Sequence, residues 1–135
     1  MSFSDFRSHS EPIFKEMKIL KISDNIKLQN SLFIHDYLNG KLPSSFNDTF
    51  TKVNKLHNYN TRAATSGKIA TRSVKTVKYG KNATYNQCIT SWNETCNTLN
   101  TKINNDRNIN LQNMPRNKVK TLITNHMFNT YQNHL

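Results

Sequence analysis

The chain has 135 residues and a formal charge of +11, with 19 Lys or Arg against 8 Asp or Glu. That length allows one small domain with a modest core, and no run approaches the ~20 apolar residues of a membrane span. So basic a balance points to a polyanionic partner, nucleic acid or an acidic membrane surface, and says nothing of fold.

Residues 1–10 are polar and predict a disordered start that lacks the apolar segment of a signal peptide. Over residues 11–20, Ile13, Phe14, Met17 and Leu20 share one helical face. Pro12 is tolerated in the first turn, where its missing N–H costs nothing. Ser23 or Asp24 reads as the N-cap of a second helix ending near Asn39, with Gly40 as its left-handed terminator. Ile26, Leu28, Leu32, Phe33, Ile34, Tyr37 and Leu38 surround most of that helix, which makes it the expected centre of the core. Pro43 opens a short piece carrying Phe46 and Phe50. Across residues 51–72 the periodicity fades into an expected extended loop, and residues 73–79 alternate as a short strand would. Helical spacing returns after Gly80, with Tyr85, Cys88, Ile89, Trp92, Cys96 and Leu99 on one face. After a polar, turn-rich stretch, Asn113 is expected to cap a last helix. Pro115 falls in its first turn, and Val119, Leu122, Ile123, Met127 and Tyr131 form its apolar stripe. The fold class that follows is mainly α: one small helical domain over residues 11–131, with a basic loop inserted at 51–81. At most a short strand pair accompanies it, and a tail follows at 132–135.

Catalysis leaves no local signature. The carboxylates lie no closer than five residues apart, unlike the clustered pair that holds two Mg²⁺ ions in polymerases and nucleases. Three glycines leave no phosphate-cradling loop. Cys88 and Cys96 are about 12 Å apart along one helix. That exceeds the ~7 Å a disulfide spans and lacks the close ligand pairing of a structural zinc site. His35, His57, His126 and His134 are scattered singly. The thiols therefore read as small buried hydrophobes in a reducing intracellular compartment, cytoplasmic or nuclear. No cofactor, metal or catalytic residue is expected. The sequons at Asn47, Asn82 and Asn93 are chance matches in a chain with 21 Asn and 14 Thr.

Residues 49–93 contain no carboxylate and eight Lys or Arg, interleaved with His57, Tyr59, Tyr79, Tyr85 and Trp92. Cations at this density neutralise phosphates and release counterions, which gives a salt-sensitive affinity largely blind to sequence. Lys52, Lys55, Arg62, Arg72, Lys75, Lys78 and Lys81 are the expected backbone contacts, with Tyr59 stacking on a base. The competing reading is a solvated loop whose lysines serve only solubility. Trp92 lies centrally in an apolar stripe and reads as core. Residues 85–92 then form the helix that holds the basic surface in place.

Five blocks occur in order: Pro12-Ile-Phe-Lys-Glu-Met-Lys-Ile-Leu20, Lys27-Leu-Gln-Asn-Ser-Leu-Phe33, Leu42-Pro-Ser-Ser-Phe46, His57-Asn-Tyr-Asn-Thr-Arg62, and Tyr79-Gly-Lys-Asn-Ala-Thr-Tyr85 running on to Cys88-Ile-Thr-Ser-Trp92-Asn93. Together they resemble the segment that follows the polymerase core in reverse transcriptases of non-LTR (LINE-type) retrotransposons. Residues 118–131 are similar to the terminal helix of those proteins, so the likeness covers residues 11–131. It departs where Trp-Asn is usually followed by Leu-Pro; here Glu94-Thr-Cys-Asn continues the helical pattern. The resemblance implies a thumb-like C-terminal region that grips template and primer, as RNA, DNA or hybrid, beside a polymerase core. The paired carboxylates of the palm are not in the chain, so binding without catalysis is expected. With Met1 close to the first block, the chain reads as a truncated element or a host gene derived from one. The alternative expectation is a structural or protein-interaction module that docks on a polymerase core or another partner through its Phe14 or Phe33 face.

Overall fold

The computed structural model describes residues 10–102 and 110–131. The expected disordered start, apart from Ser10, and the expected tail lie outside the described residues. Within them the chain forms α1 (Ser10–Glu16), α2 (Ile22–Leu38), α3 (Arg62–Thr65), α4 (Thr84–Lys102) and α5 (Arg116–Thr130). Single 3-10 turns fall at Ser44–Phe46, Val53–Lys55 and Leu111–Asn113. The mainly α class read from periodicity is the class observed, and no described helix is long and apolar enough to cross a membrane.

Helix α1 is shorter than its apolar spacing predicts, because Lys18 adopts a left-handed φ of 53°. The Lys18 N–H then bonds the Lys15 carbonyl at 3.0 Å and the Ile19 N–H bonds that of Phe14 at 2.9 Å. This pair of bonds closes a helix and reverses the chain. The same closure ends α2, where Gly40 has φ 67° as its sequence position predicts. There Gly40 and Lys41 donate to the carbonyls of Tyr37 and Asp36. The start of α2 differs from expectation. Lys21 occupies the N-cap with no side-chain cap bond, and Ser23 and Asp24 fall inside the first turn. Asp24 is engaged elsewhere, accepting a short hydrogen bond from the Tyr131 hydroxyl across the domain.

The core lies where α2 packs against α4 and α5. Leu28, Leu32, Ile34 and Leu38 of α2 meet Ile89, Trp92, Cys96 and Leu99 of α4, and Val119 and Ile123 of α5. Ile26, grouped with the buried set by its spacing, is 50% exposed. The opposite error occurs at Leu111, which sits in a polar stretch yet is 1% exposed. His35 is buried as well, and its Nε2 donates to the Met114 carbonyl at 2.9 Å. Phe50 joins the layers: its ring stacks on Tyr85 at 5.0 Å and meets Tyr37 edge-on at 5.0 Å.

Two further expectations are corrected. Asn113 does not cap α5; it lies in a 3-10 turn, and Pro115 is the N-cap residue. A residue before proline is driven out of helical geometry, and Met114 is accordingly extended at φ −86°, ψ 150°, so the helix cannot begin sooner. Residues 73–79 form no strand. The chain instead folds into a π-helical turn at Val77–Lys81, which brings Gly80 against Val74. A Cβ on Gly80 would lie 2.7 Å from the Val74 Cβ, whereas an extended strand would hold these positions about 20 Å apart. Among the described residues, strand pairing reduces to one antiparallel bridge, Lys52 with Ile69.

Candidate nucleic-acid interface

The basic stretch is a loop tied down at Ile69. The Ala70 N–H donates to the Thr51 carbonyl at 2.8 Å and the Val53 N–H to that of Lys68 at 3.2 Å, closing residues 51–70 on themselves. Helix α4 then grips the closure. The Asn93 side chain accepts from the Ile69 N–H at 3.0 Å and donates to the Ile69 carbonyl at 2.9 Å, filling the place a neighbouring strand would take. Its neighbour Trp92, fully buried, donates its indole N–H to the Gly67 carbonyl at 3.0 Å. Gly67 has φ 73° and closes α3, so its carbonyl is free to turn toward the indole. The Trp-Asn pair is thus the anchor of the basic loop as well as part of the core.

Within that closure the motif His57-Asn-Tyr-Asn-Thr-Arg62 has a structural logic. The Thr61 hydroxyl caps α3 by accepting from the Ala64 N–H at 3.3 Å. This sets Arg62 at the first helical position, exposed. Tyr59, 78% exposed, lies 5.9 Å from the half-buried His57 ring. Lys55 is exposed on the preceding turn. Lys52 differs from these, because it is half-buried and its ammonium donates to the Gln112 side chain at 3.5 Å. That contact makes Lys52 a strut between the loop and the segment before α5, and it is the one predicted contact residue the structure turns inward.

The remaining predicted cations follow Ile69. Arg72, Lys75, Lys78 and Lys81 are all exposed. The Arg72 guanidinium lies 5.8 Å from the Tyr85 ring centroid and the Lys78 ammonium 5.2 Å from that of Tyr79, distances at which ring faces attract cations. Tyr79 is 78% exposed, as open as Tyr59. Among the described residues, none of the eight predicted contact residues is ion-paired with a carboxylate; Lys21 pairs with Glu11 and Arg116 with Asp36 instead. The Ile69 anchor therefore sorts the seven exposed members of the predicted set into Lys55, Tyr59 and Arg62 before it and four cations after it.

Sequence spacing missed Lys27. It lies on α2, far along the chain from the basic stretch, yet it lines a groove of about 590 Å³ with Arg72 and Lys81. An isolated lysine on an amphipathic helix carries no signal of such a meeting. Both cysteines are free and buried. Burial pushes the Cys88 thiol up and the Cys96 thiol to about 12, the latter against a small opposing pull from Lys68. Thiols held in this way are poor nucleophiles and poor metal ligands.

Comparison with family models, curated proteins and solved structures finds no match to this chain.

Proposed function

We propose that this chain binds nucleic acid without catalysing a reaction, holding the phosphate backbone of RNA, DNA or a hybrid. It would act as the C-terminal region of a LINE-type reverse transcriptase does beside its polymerase core. One observation carries the reading. Six exposed cations of a carboxylate-free stretch (Lys55, Arg62, Arg72, Lys75, Lys78 and Lys81) stand on a backbone that Trp92 and Asn93 tie to the core at Gly67 and Ile69, and that Asn86 holds at Gly80. Cations serving only solubility need no such anchor, whereas phosphate contacts gain from a fixed frame. Tyr59 supplies a stacking face beside them. The free, buried thiols fit a reducing compartment, cytoplasmic or nuclear.

Fluorescence anisotropy with labelled RNA, DNA and hybrid across a salt series tests this. Six neutralised phosphates predict a slope of log affinity on log salt of about −4 to −5. No binding at low salt, or binding indifferent to salt, refutes the proposal.

A second reading has its own observation. Met17, Ile19, Ile22 and Ile26 are 58%, 48%, 82% and 50% exposed around the bend between α1 and α2. Exposed apolar residues grouped in this way mark docking surfaces. The Phe33 face is an unsuitable candidate, since that ring packs edge-on against Phe46 at 5.7 Å and Phe50 at 6.3 Å, and Phe14 is half-buried. Association that Ile22→Lys abolishes, in a chain that ignores nucleic acid, favours an interaction module.

A further inference from the structure

We infer that the groove between α2 and α4 receives an unstacked base of a single-stranded nucleic acid. This rests on the nucleic-acid function proposed above and names what that surface selects. The groove encloses about 590 Å³, within the range of pockets that take a small organic ligand. Its floor is apolar at the buried Ile89, with the half-buried Val74 and the more exposed Ile26 as further apolar lining. Around that floor stand three cations on separate elements: Lys27 on α2, Arg72 beyond the Ile69 anchor, and Lys81 at the end of the π-helical turn. Side-chain amides and hydroxyls also line it. Asn86 is committed to the Gly80 carbonyl at 2.7 Å, while Asn82 and Gln87 are exposed. Glu94 is the carboxylate that lines it.

That combination matches a nucleotide more closely than a protein side chain. A base has apolar faces and hydrogen-bonding edges, with a phosphate on each side of its sugar. Amides pair with base edges through a donor and an acceptor held together, and a carboxylate accepts from an exocyclic amino group. A duplex offers phosphates to the rim but keeps its bases stacked and paired, so the floor would stay empty. An apolar peptide would cover the floor but bring no anion to three cations that share one lining carboxylate, Glu94. An unpaired strand satisfies floor, amides and rim together, and two of the rim cations, Arg72 and Lys81, already belong to the proposed backbone contacts.

The test uses the full chain and three labelled probes at one salt concentration: a single strand, the same strand with abasic residues, and its duplex. The intact strand is expected to bind about tenfold more tightly than the abasic strand, as the loss of one stacked or packed base entails, and more tightly than the duplex. The double variant Asn82→Leu, Gln87→Leu is expected to erase that advantage and leave abasic-strand affinity unchanged. A 2-aminopurine in the strand gives a second measurement on the wild-type chain, its emission rising as the base leaves the stack. Equal affinity for all three probes, or no rise in emission, overturns the inference while the backbone-binding function stands. A double variant that melts as the wild type does and keeps the full advantage also overturns it. Failure to bind any probe removes both readings and leaves the groove to a protein ligand.

Discussion

Replacing Asn93 by Ala removes the amide that accepts from the Ile69 N–H and donates to the Ile69 carbonyl. Ile69 is 1% exposed, so both backbone groups lose their partner in a place water reaches poorly. A net hydrogen bond contributes about 1 kcal/mol, and a buried group left unpaired costs about 1–3 kcal/mol. Asn93 itself is half-exposed, so water enters part of the vacated space, and the expected loss is about 2–3 kcal/mol in total. For a domain of this size that lowers the midpoint of thermal unfolding by roughly 10 °C, readable by circular dichroism. The loop should release before the helices do, because the polar ties that still hold residues 52–69 to the rest of the fold are the Trp92–Gly67 bond and the long Lys52–Gln112 contact. Limited trypsin digestion of the native variant should therefore cut first at the lysines and arginines of residues 52–72. Asn93→Asp keeps an acceptor for the Ile69 N–H but sets a carboxylate oxygen against the Ile69 carbonyl, so it is expected to fall well short of wild-type stability. A variant that melts within ~2 °C of the parent, with unchanged digestion, would refute the assignment of Asn93 as the anchor.

Lys18→Gly is expected to stabilise the chain by about 0.5–1 kcal/mol, because φ 53° strains any side chain with a Cβ; an unchanged or lower melting temperature counts against the left-handed closure of α1. Gly80→Ala sets a methyl 2.7 Å from the Val74 Cβ and is expected to cost about 1–3 kcal/mol, with the groove beside it distorted; denaturant unfolding at full stability would show that the Val77–Lys81 turn does not pack as described. Tyr131 predicts a pH dependence. Burial first, then its hydrogen bond to Asp24, push the Tyr131 hydroxyl up to about 12, against an opposing pull from the Lys21 N–H. A raised folded-state value means this contribution is whole below about pH 10, the unfolded tyrosine value, and is lost as pH climbs from there toward 12. Stability measured against Tyr131→Phe should show a difference that is flat below pH 10 and shrinks above it; a constant difference sinks the assignment. Alkylation supplies a last check: with its thiol held up at about 12, Cys96 should resist iodoacetamide at mildly alkaline pH until denaturant is added.

Much of this protein was legible from local pattern. Helical periodicity located α2, α4 and α5 because each buries one face, and a buried face leaves a repeat of about 3.6 residues. Gly40 announced the end of α2 because a helix closing through a left-handed residue favours glycine. The cations after Ile69 were legible as an exposed set because a run without carboxylates leaves them few local partners. Lys18 takes glycine's role without glycine's signature. Leu111 is buried within a polar stretch, while Ile26, like Ile22, is exposed on the helix that supplies much of the core; for these apolar residues the decision comes from what packs opposite, which no local window contains.

The same division runs through the candidate site. Sequence alone determined that a carboxylate-free, aromatic-bearing stretch precedes an amphipathic helix, and that this helix would hold it, since charge and periodicity are local properties. Tertiary structure decided the rest. It turned Lys52 inward onto Gln112, brought Lys27 from α2 to the groove that Arg72 and Lys81 line, and placed Asn93 against the backbone of Ile69. Each depends on residues 24 to 60 positions apart meeting in space, because hydrogen bonds and shared grooves are set by distances of a few ångströms and a linear chain does not record them.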